Sequence, residues 1–396
     1  MKFMMQQAGG TPTVHAPVQP EKSVEPIEPE EFKQNAFPDK DINEKKNMEP
    51  AQDTAPETGM DIRSRMEAAR KREEEENRRN QMAERKEQNE AMQQVEEDLG
   101  HVKKPAKVIT VFSAKGGVGK TTIACELATF LSLTNHGKGK FRVCLVDYDL
   151  MFGDILSTLN FNPNQANMMD WIADLDKKHK AGQEWNAISY DAGQIERFLQ
   201  KKEESGLYSL IAPITNFDYM KISNEEIVNL CGTMLRNIVE NGDFDFVIVD
   251  TGNNIEDATY VSLERADEIL LILTQSMNSA NCNNNFLNTM NHLSFDLSKV
   301  RIVINKAKPA KGVGISVNEL QEALKNPVTN QPFECYAKIK DNDAVQNAEN
   351  VGEPMVYKSS HEFTKSIGEI AHHVIGDTFV LSKPKKKRFS FFRRNK

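Results

Sequence analysis

Residues 113–122 read Ser113-Ala114-Lys115-Gly116-Gly117-Val118-Gly119-Lys120-Thr121-Thr122. They follow an apolar, β-branched run, Val108-Ile109-Thr110-Val111-Phe112, and open a helix-compatible stretch, 120–134. Strand, glycine-rich turn and helix in that order form a cradle for phosphate oxygens. Glycines let backbone N–H groups turn inward and the helix N-terminus adds its positive dipole end; Lys120 can reach β- and γ-phosphates, and the Thr121 hydroxyl can ligate Mg2+. Residues 115–122 are therefore the expected cradle for a nucleotide's phosphates and Mg2+. Glycine-rich turns also occur without nucleotides; the Gly-Lys-Thr ending and the strand-to-helix context separate this one from them.

Outward from the loop, further runs have strand length: Val143-Cys144-Leu145-Val146, Phe246-Val247-Ile248-Val249, Ile269-Leu270-Leu271-Ile272-Leu273 and Val300-Arg301-Ile302-Val303-Ile304. Each is continuously apolar rather than alternating, as in strands buried on both faces of a parallel sheet. Helix-compatible stretches at 223–241, 278–293 and 316–325 separate them. The pattern predicts an α/β fold: a doubly wound, mostly parallel sheet with helices on both faces and its ligand at the carboxyl ends of the strands. Acidic residues stand at two such ends, Asp147 and Asp149 after the 143–146 run and Asp250 after 246–249. One Asp at a strand end is often only a helix cap. Three at the edge that carries a phosphate loop are more than capping alone accounts for.

The loop departs from G-x-x-x-x-G-K-[ST], with Ala114 at the first glycine position and Lys115 ahead of the glycine pair. It resembles the deviant Walker A motif of the MinD/ParA family of P-loop ATPases. The resemblance implies ATP hydrolysis and an ATP-dependent homodimer in which Lys115 contacts the partner's nucleotide. A second cation on the phosphates would stabilise charge developing in the transition state; a solvent-facing lysine is the plainer alternative. By the same resemblance Lys115, Lys120 and Asp149 are catalytic, with Asp149 positioning the attacking water. Thr121, Asp147 and Asp250 would form the Mg2+ shell, Asp250 as the Walker B aspartate. Asn305, ending the run 300–304, would bind adenine or else serve as a turn residue. Ile339-Lys340-Asp341-Asn342-Asp343 with Val345, Ala348, Gly352 and Pro354 resembles the family's I-P-x-D…V…A…G-x-P segment, Lys340 replacing the proline.

Within that family, Asp147-Tyr148-Asp149-Leu150-Met151-Phe152-Gly153-Asp154, followed by Ser205-Gly206-Leu207 and Leu210-Ile211-Ala212-Pro213, resembles the CpaE/TadZ branch associated with tight-adherence pilus assembly. The resemblance spans about residues 107–376. It implies a slow ATP-dependent switch that positions a pilus or secretion assembly at the membrane. A DNA-partitioning ATPase and an ATP-binding scaffold with little hydrolysis are the alternatives. That branch usually has a receiver-like domain ahead of the ATPase, which residues 1–100 cannot form. Asp250 is followed by Thr251-Gly252-Asn253-Asn254 rather than the usual residue-proline pair.

The flanks differ from this centre. Residues 1–60 hold eight of the sixteen prolines and only Phe3, Phe32 and Phe37 as aromatics, too little apolar surface to offset ordering, so disorder is expected. Residues 61–104 are rich in mixed charge and keep no sustained heptad; a solvated helix or linker is expected, with a short coiled coil or partner-binding helix as the alternative. The ATPase domain is expected over 105–381, ahead of a tail at 382–396. Residues 383–396 carry eight basic residues, no acidic ones and Phe389, Phe391 and Phe392, on a chain of net charge −8. An anionic membrane surface is the first partner such a segment suggests; nucleic-acid phosphates or a docking protein are the others.

With 396 residues, 39% hydrophobic and 27% charged, the chain is neither collagen-like nor wholly disordered. The longest aliphatic run, 269–273, is far short of a membrane span. The N-terminus offers no apolar stretch long enough for a secretory signal. The expected location is the cytoplasm, peripheral at the inner face of the membrane. Five cysteines without a C-x-x-C pair suggest neither a disulfide framework nor a zinc site.

Overall fold

In chain order, the computed structural model of the protein contains β1 (Lys107–Phe112), α1 (Lys120–Leu133), the short pair β2 (Asn135–His136) and β3 (Gly139–Lys140), β4 (Val143–Tyr148), α2 (Ile155–Thr158), α3 (Met168–Lys180) and α4 (Ala192–Glu196). There follow β5 (Gln200–Lys201), β6 (Tyr208–Leu210), α5 (Asn216–Tyr219), α6 (Asn224–Asn241), β7 (Phe246–Thr251), α7 (Asp257–Arg265), β8 (Glu268–Thr274) and α8 (Met277–His292). The last elements are β9 (Val300–Ala307), α9 (Val317–Ala323), β10 (Cys335–Lys340), α10 (Asp343–Val351) and α11 (Glu362–Ile375). The structure describes residues 104–137, 139–308 and 315–376. The Pro-rich segment 1–60, the charged segment up to residue 103 and the tail 382–396 lie outside the described residues.

Eight strands form one sheet in the order β10-β9-β8-β1-β7-β4-β6-β5. All neighbouring pairs are parallel except β5 with β6. The five apolar runs read from the sequence are β1, β4, β7, β8 and β9, the adjacent strands of the middle. The sequence reading missed β5, β6 and β10, which lie toward the edges. Two and three residues are too short to show a pattern in β5 and β6, and β10 exposes Lys338 and Lys340.

Successive residues of the central strands point to opposite faces. Ile109 and Val111 join Leu145, Ile248 and Leu270 in one buried cluster, which α1 and α11 cover through Leu127, Leu131, Ile367 and Ile370. Val108, Val146 and Val249 join the opposite cluster under α3 and α6. Phe112, Leu271 and Ile302 pack under α7 and α8 through Leu263 and Leu287. Each fully buried aliphatic side chain contributes about 1.5–3 kcal/mol, so burial on both faces explains why these strands are continuously apolar. Trp171 of α3 is core, its ring stacked on Phe198 at 5.0 Å. No disulfide forms, and Cys125, Cys144 and Cys231 are buried. Among the described residues no helix is long and apolar enough to cross a membrane.

Candidate functional site

The central strands end in register. Asp147 of β4 pairs with Asp250 of β7, and Asp250 also stands beside Val111 of β1. The loop 113–119 leaves β1 at this edge and turns into α1. Gly117 and Gly119 have φ of +72° and +92°, in the left-handed region that favours glycine. The first turn of α1 has no acidic residue and no side-chain cap. Its N–H groups thus face the cradle as anion donors.

Three distant residues hold the loop. The Asn283 amide of α8, fully buried, accepts from the Ala114 N–H at 3.0 Å. Its Nδ2 donates to the Ser279 carbonyl at 2.8 Å. Asn305, at the end of β9, donates from Nδ2 to the Val118 carbonyl at 2.8 Å. Lys306, held at φ +52°, donates from Nζ to the Gly117 carbonyl at 3.1 Å. The sequence reading missed Asn283 and Lys306. Asn283 sits in a helix whose sequence, MNSANCNNNFLNTMNH, holds no charged residue besides His292, and that charge-free helix was the available signal.

A Cβ on Gly119 would lie 2.5 Å from the Asn305 Nδ2. Gly119→Ala is therefore expected to lose about 1–2 kcal/mol to left-handed strain alone, besides breaking the Asn305 bond. A denaturant midpoint equal to that of the original chain would show that the loop relaxes at no cost.

The acidic residues converge on the same end of α1. Burial raises the Asp147 carboxyl well above the usual range, and the negative charges of Asp250 and Asp149 add to the push. Asp147 accepts from the Asp149 N–H at 3.2 Å and the Ile155 N–H at 3.3 Å. Burial also raises Asp250, opposed by the Thr121 hydroxyl and the Lys120 ammonium. Lys120 is lowered by its own burial, against the attraction of Asp250 and Asp149. Asp149 accepts from the Phe152 N–H at 3.3 Å. Gly252 lies against its carboxylate, and Gly116 lies against Asn253, so the turn after β7 sits between Asp149 and the loop. Lys115 is half-buried and forms no ion pair among the described residues.

Both oxygens of Asp250 are buried and make no close hydrogen bond, although the Thr121 hydroxyl and the Lys120 ammonium act on the carboxyl. A buried carboxylate in that state calls for a cation. The oxygen donors of Thr121, Asp250 and Asp147 suit Mg2+, which keeps water and phosphate oxygens as its remaining ligands. Among the described residues no group of three His, Cys, Asp or Glu side chains could hold a metal by itself.

A cleft opens beside the loop, lined by Thr122, Asn305, Lys340, Asp341, Asn342 and Glu349 among others. It brings the 339–345 segment to the loop. Two other motif segments also meet: a Cβ on Gly153 would lie 2.5 Å from the Ala212 Cβ and 2.6 Å from the Asp147 Oδ2. Small residues in both segments let the turn after β4 fold back onto Asp147.

A family described as an AAA domain, AAA_31, matches residues 106–302. The septum site-determining protein MinD of Thermotoga maritima is 22% identical over 280 residues, which is 69% of this chain and 90% of that protein. The crystal structure of a ParA family ATPase from Chlorobium tepidum superposes with a TM-score of 0.54 at 23% identity, over 67% of this chain and 98% of that one. MinD of Pyrococcus horikoshii, complexed with Mg-ADP, superposes with a TM-score of 0.51 at 16% identity, over 68% of this chain and 96% of that one. At these identities the structural likeness establishes the fold.

Proposed function

We propose, for a chain with the MinD/ParA-type P-loop ATPase fold, that it binds ATP with Mg2+ at residues 115–122, hydrolyses it slowly and uses the nucleotide to control self-association. The observation that carries the reading is the convergence of Lys120, Thr121 and the buried Asp250 at the uncapped start of α1. In this reading Lys120 and Lys115 neutralise phosphate charge, Asp149 orients the attacking water, and Thr121, Asp250 and Asp147 hold Mg2+ and its waters. The P. horikoshii protein carries Mg-ADP on the same fold, which supports ATP and Mg2+ as the ligands.

Self-association is supported by apolar side chains at the rim of the site. Phe152, Phe217 and Met220 are exposed by 66%, 71% and 73%. They follow the carboxyl ends of the adjacent strands β4 and β6, and Ile255 follows β7 in the same way. Apolar groups gathered at one edge fit a second copy better than water. The ATPase domain is 105–381 in this reading, flanked by the segments 1–60 and 61–104 and the tail 382–396. The tail gives each copy a basic, aromatic anchor for anionic lipid, and a dimer doubles it. The CpaE/TadZ-like segments at 147–154 and 205–213 support a reading in which the switch places a pilus or secretion assembly at the membrane.

ATP turnover of the full chain, compared with Asp149→Ala, is the first test. A drop of about 10²-fold or more is expected on losing a water-orienting carboxylate. Equal, near-zero rates would leave an ATP-binding scaffold instead. Sedimentation with anionic liposomes is expected to require both ATP and residues 382–396; sedimentation indifferent to both would overturn the membrane role.

A further inference from the structure

Thr122 follows the metal-facing Thr121, and its hydroxyl donates a hydrogen bond to the Glu349 carboxylate of α10, 227 residues away in sequence. The first turn of α1 has no acidic residue of its own. Its anion-attracting end is therefore faced by a carboxylate brought from elsewhere in the chain. Glu349 also lines the cleft beside the loop, with Thr122 and Asn305. One turn along α1, Glu126 accepts from the Met355 and Val356 N–H groups at 2.7 and 2.9 Å. The stretch 349–356 thus grips α1 at two points, and only the first touches the loop.

A nucleotide's phosphates bring several negative charges to this helix end. We propose that Glu349 sets the affinity of the nucleotide site: its carboxylate competes with the phosphates for the first turn of α1, and the nucleotide must displace it from Thr122. The proposal rests on the nucleotide reading above and deepens it. Displacement frees α10 from the loop while Glu126 keeps Met355 and Val356 in place, so the change is confined to the helix that presents the exposed Val351.

The test is calorimetric titration of Mg-ADP and of inorganic pyrophosphate into the full chain, its Glu349→Gln variant and its Glu353→Gln variant. Glutamine keeps an acceptor for Thr122 and removes the charge. Glu353, exposed just past the end of α10, controls for charge alone. Glu349→Gln is expected to bind both ligands at least about fivefold tighter, the scale of one like-charge contact in a partly hydrated site. Glu353→Gln is expected to stay within about twofold, as for a screened surface charge. Unchanged or weaker binding by Glu349→Gln overturns the proposal. Failure of the original chain to bind either Mg-ADP or Mg-ATP would instead sink the nucleotide reading, and the competition with it. Amide exchange on the original chain reads the same device without a substitution. Residues 343–351 are expected to lose protection when Mg-ADP is added while 355 and 356 keep theirs, and unchanged protection of α10 overturns the proposal.

Discussion

Replacing Lys120 by alanine is expected to lower ATP turnover by roughly 10³-fold, the upper range for removing one preorganised donor to developing charge. The ammonium is half-buried at the start of α1, and burial lowers its pKa. It is partly desolvated already, so its field on a phosphate is less screened than in bulk water. Folding should change little, by about 1 kcal/mol or less, because the cost of burying the ammonium and its attraction to Asp250 and Asp149 oppose one another. Single-turnover hydrolysis together with chemical denaturation separates the two quantities. Turnover within tenfold of the original chain would remove Lys120 from the chemistry, and Lys120→Arg should not rescue it, since a planar fork does not replace a point charge in a tight loop.

Asp250→Asn is expected to act in opposite directions on activity and stability. Activity should fall by a factor of about 10³ as the Mg2+ site loses its charged ligand. Stability without metal or nucleotide should rise by about 1 kcal/mol near pH 8, because the cost of burying the charge beside Asp147 disappears, offset in part by the lost attraction to Lys120. The pH dependence has a definite sign. Burial raises Asp250 and Asp147, and raises Glu126 to about 7, so the folded chain holds protons that the unfolded chain has released. Stability from these groups is complete below the ordinary carboxyl range, near pH 4, and is lost as pH climbs toward 7. Denaturation in chelator between pH 5 and 8 should therefore show a falling curve, shallower for Asp250→Asn. A rising curve, or one of the same slope in the variant, would mean that burial does not hold a proton on Asp250.

The sequence shows its central strands plainly because β1, β4, β7, β8 and β9 are buried on both faces, which forces unbroken apolar runs. It hides β6 and β10, where few residues or one wet face weaken the pattern. The loop and the three aspartates are legible because strand, turn and helix place them locally. Asn283, Lys306 and Glu349 are not, because each reaches the loop from a distant part of the chain, and no local pattern marks an Asn among many Asn or a Glu on an exposed helix. Asn305 was legible as a strand-end residue, but its bond to the Val118 carbonyl was not. The Ala212 segment and Gly153 were seen as separate motifs; only the fold shows that their smallness is shared.

The cover over α1 has a consequence for the order of synthesis. Phosphate loop and helix are made by residue 133, yet the Glu126 carboxylate finds its partners only at Met355 and Val356, and Lys107 of β1 reaches the Val374 carbonyl at 2.7 Å. A ribosome that has delivered the loop and most of the sheet still holds the chain that closes over the back of α1. Until residues 355–375 emerge, the Glu126 carboxylate and the apolar face of α1 stand open to water. The nucleotide site, first in the sequence of the domain, is among the last parts to be finished.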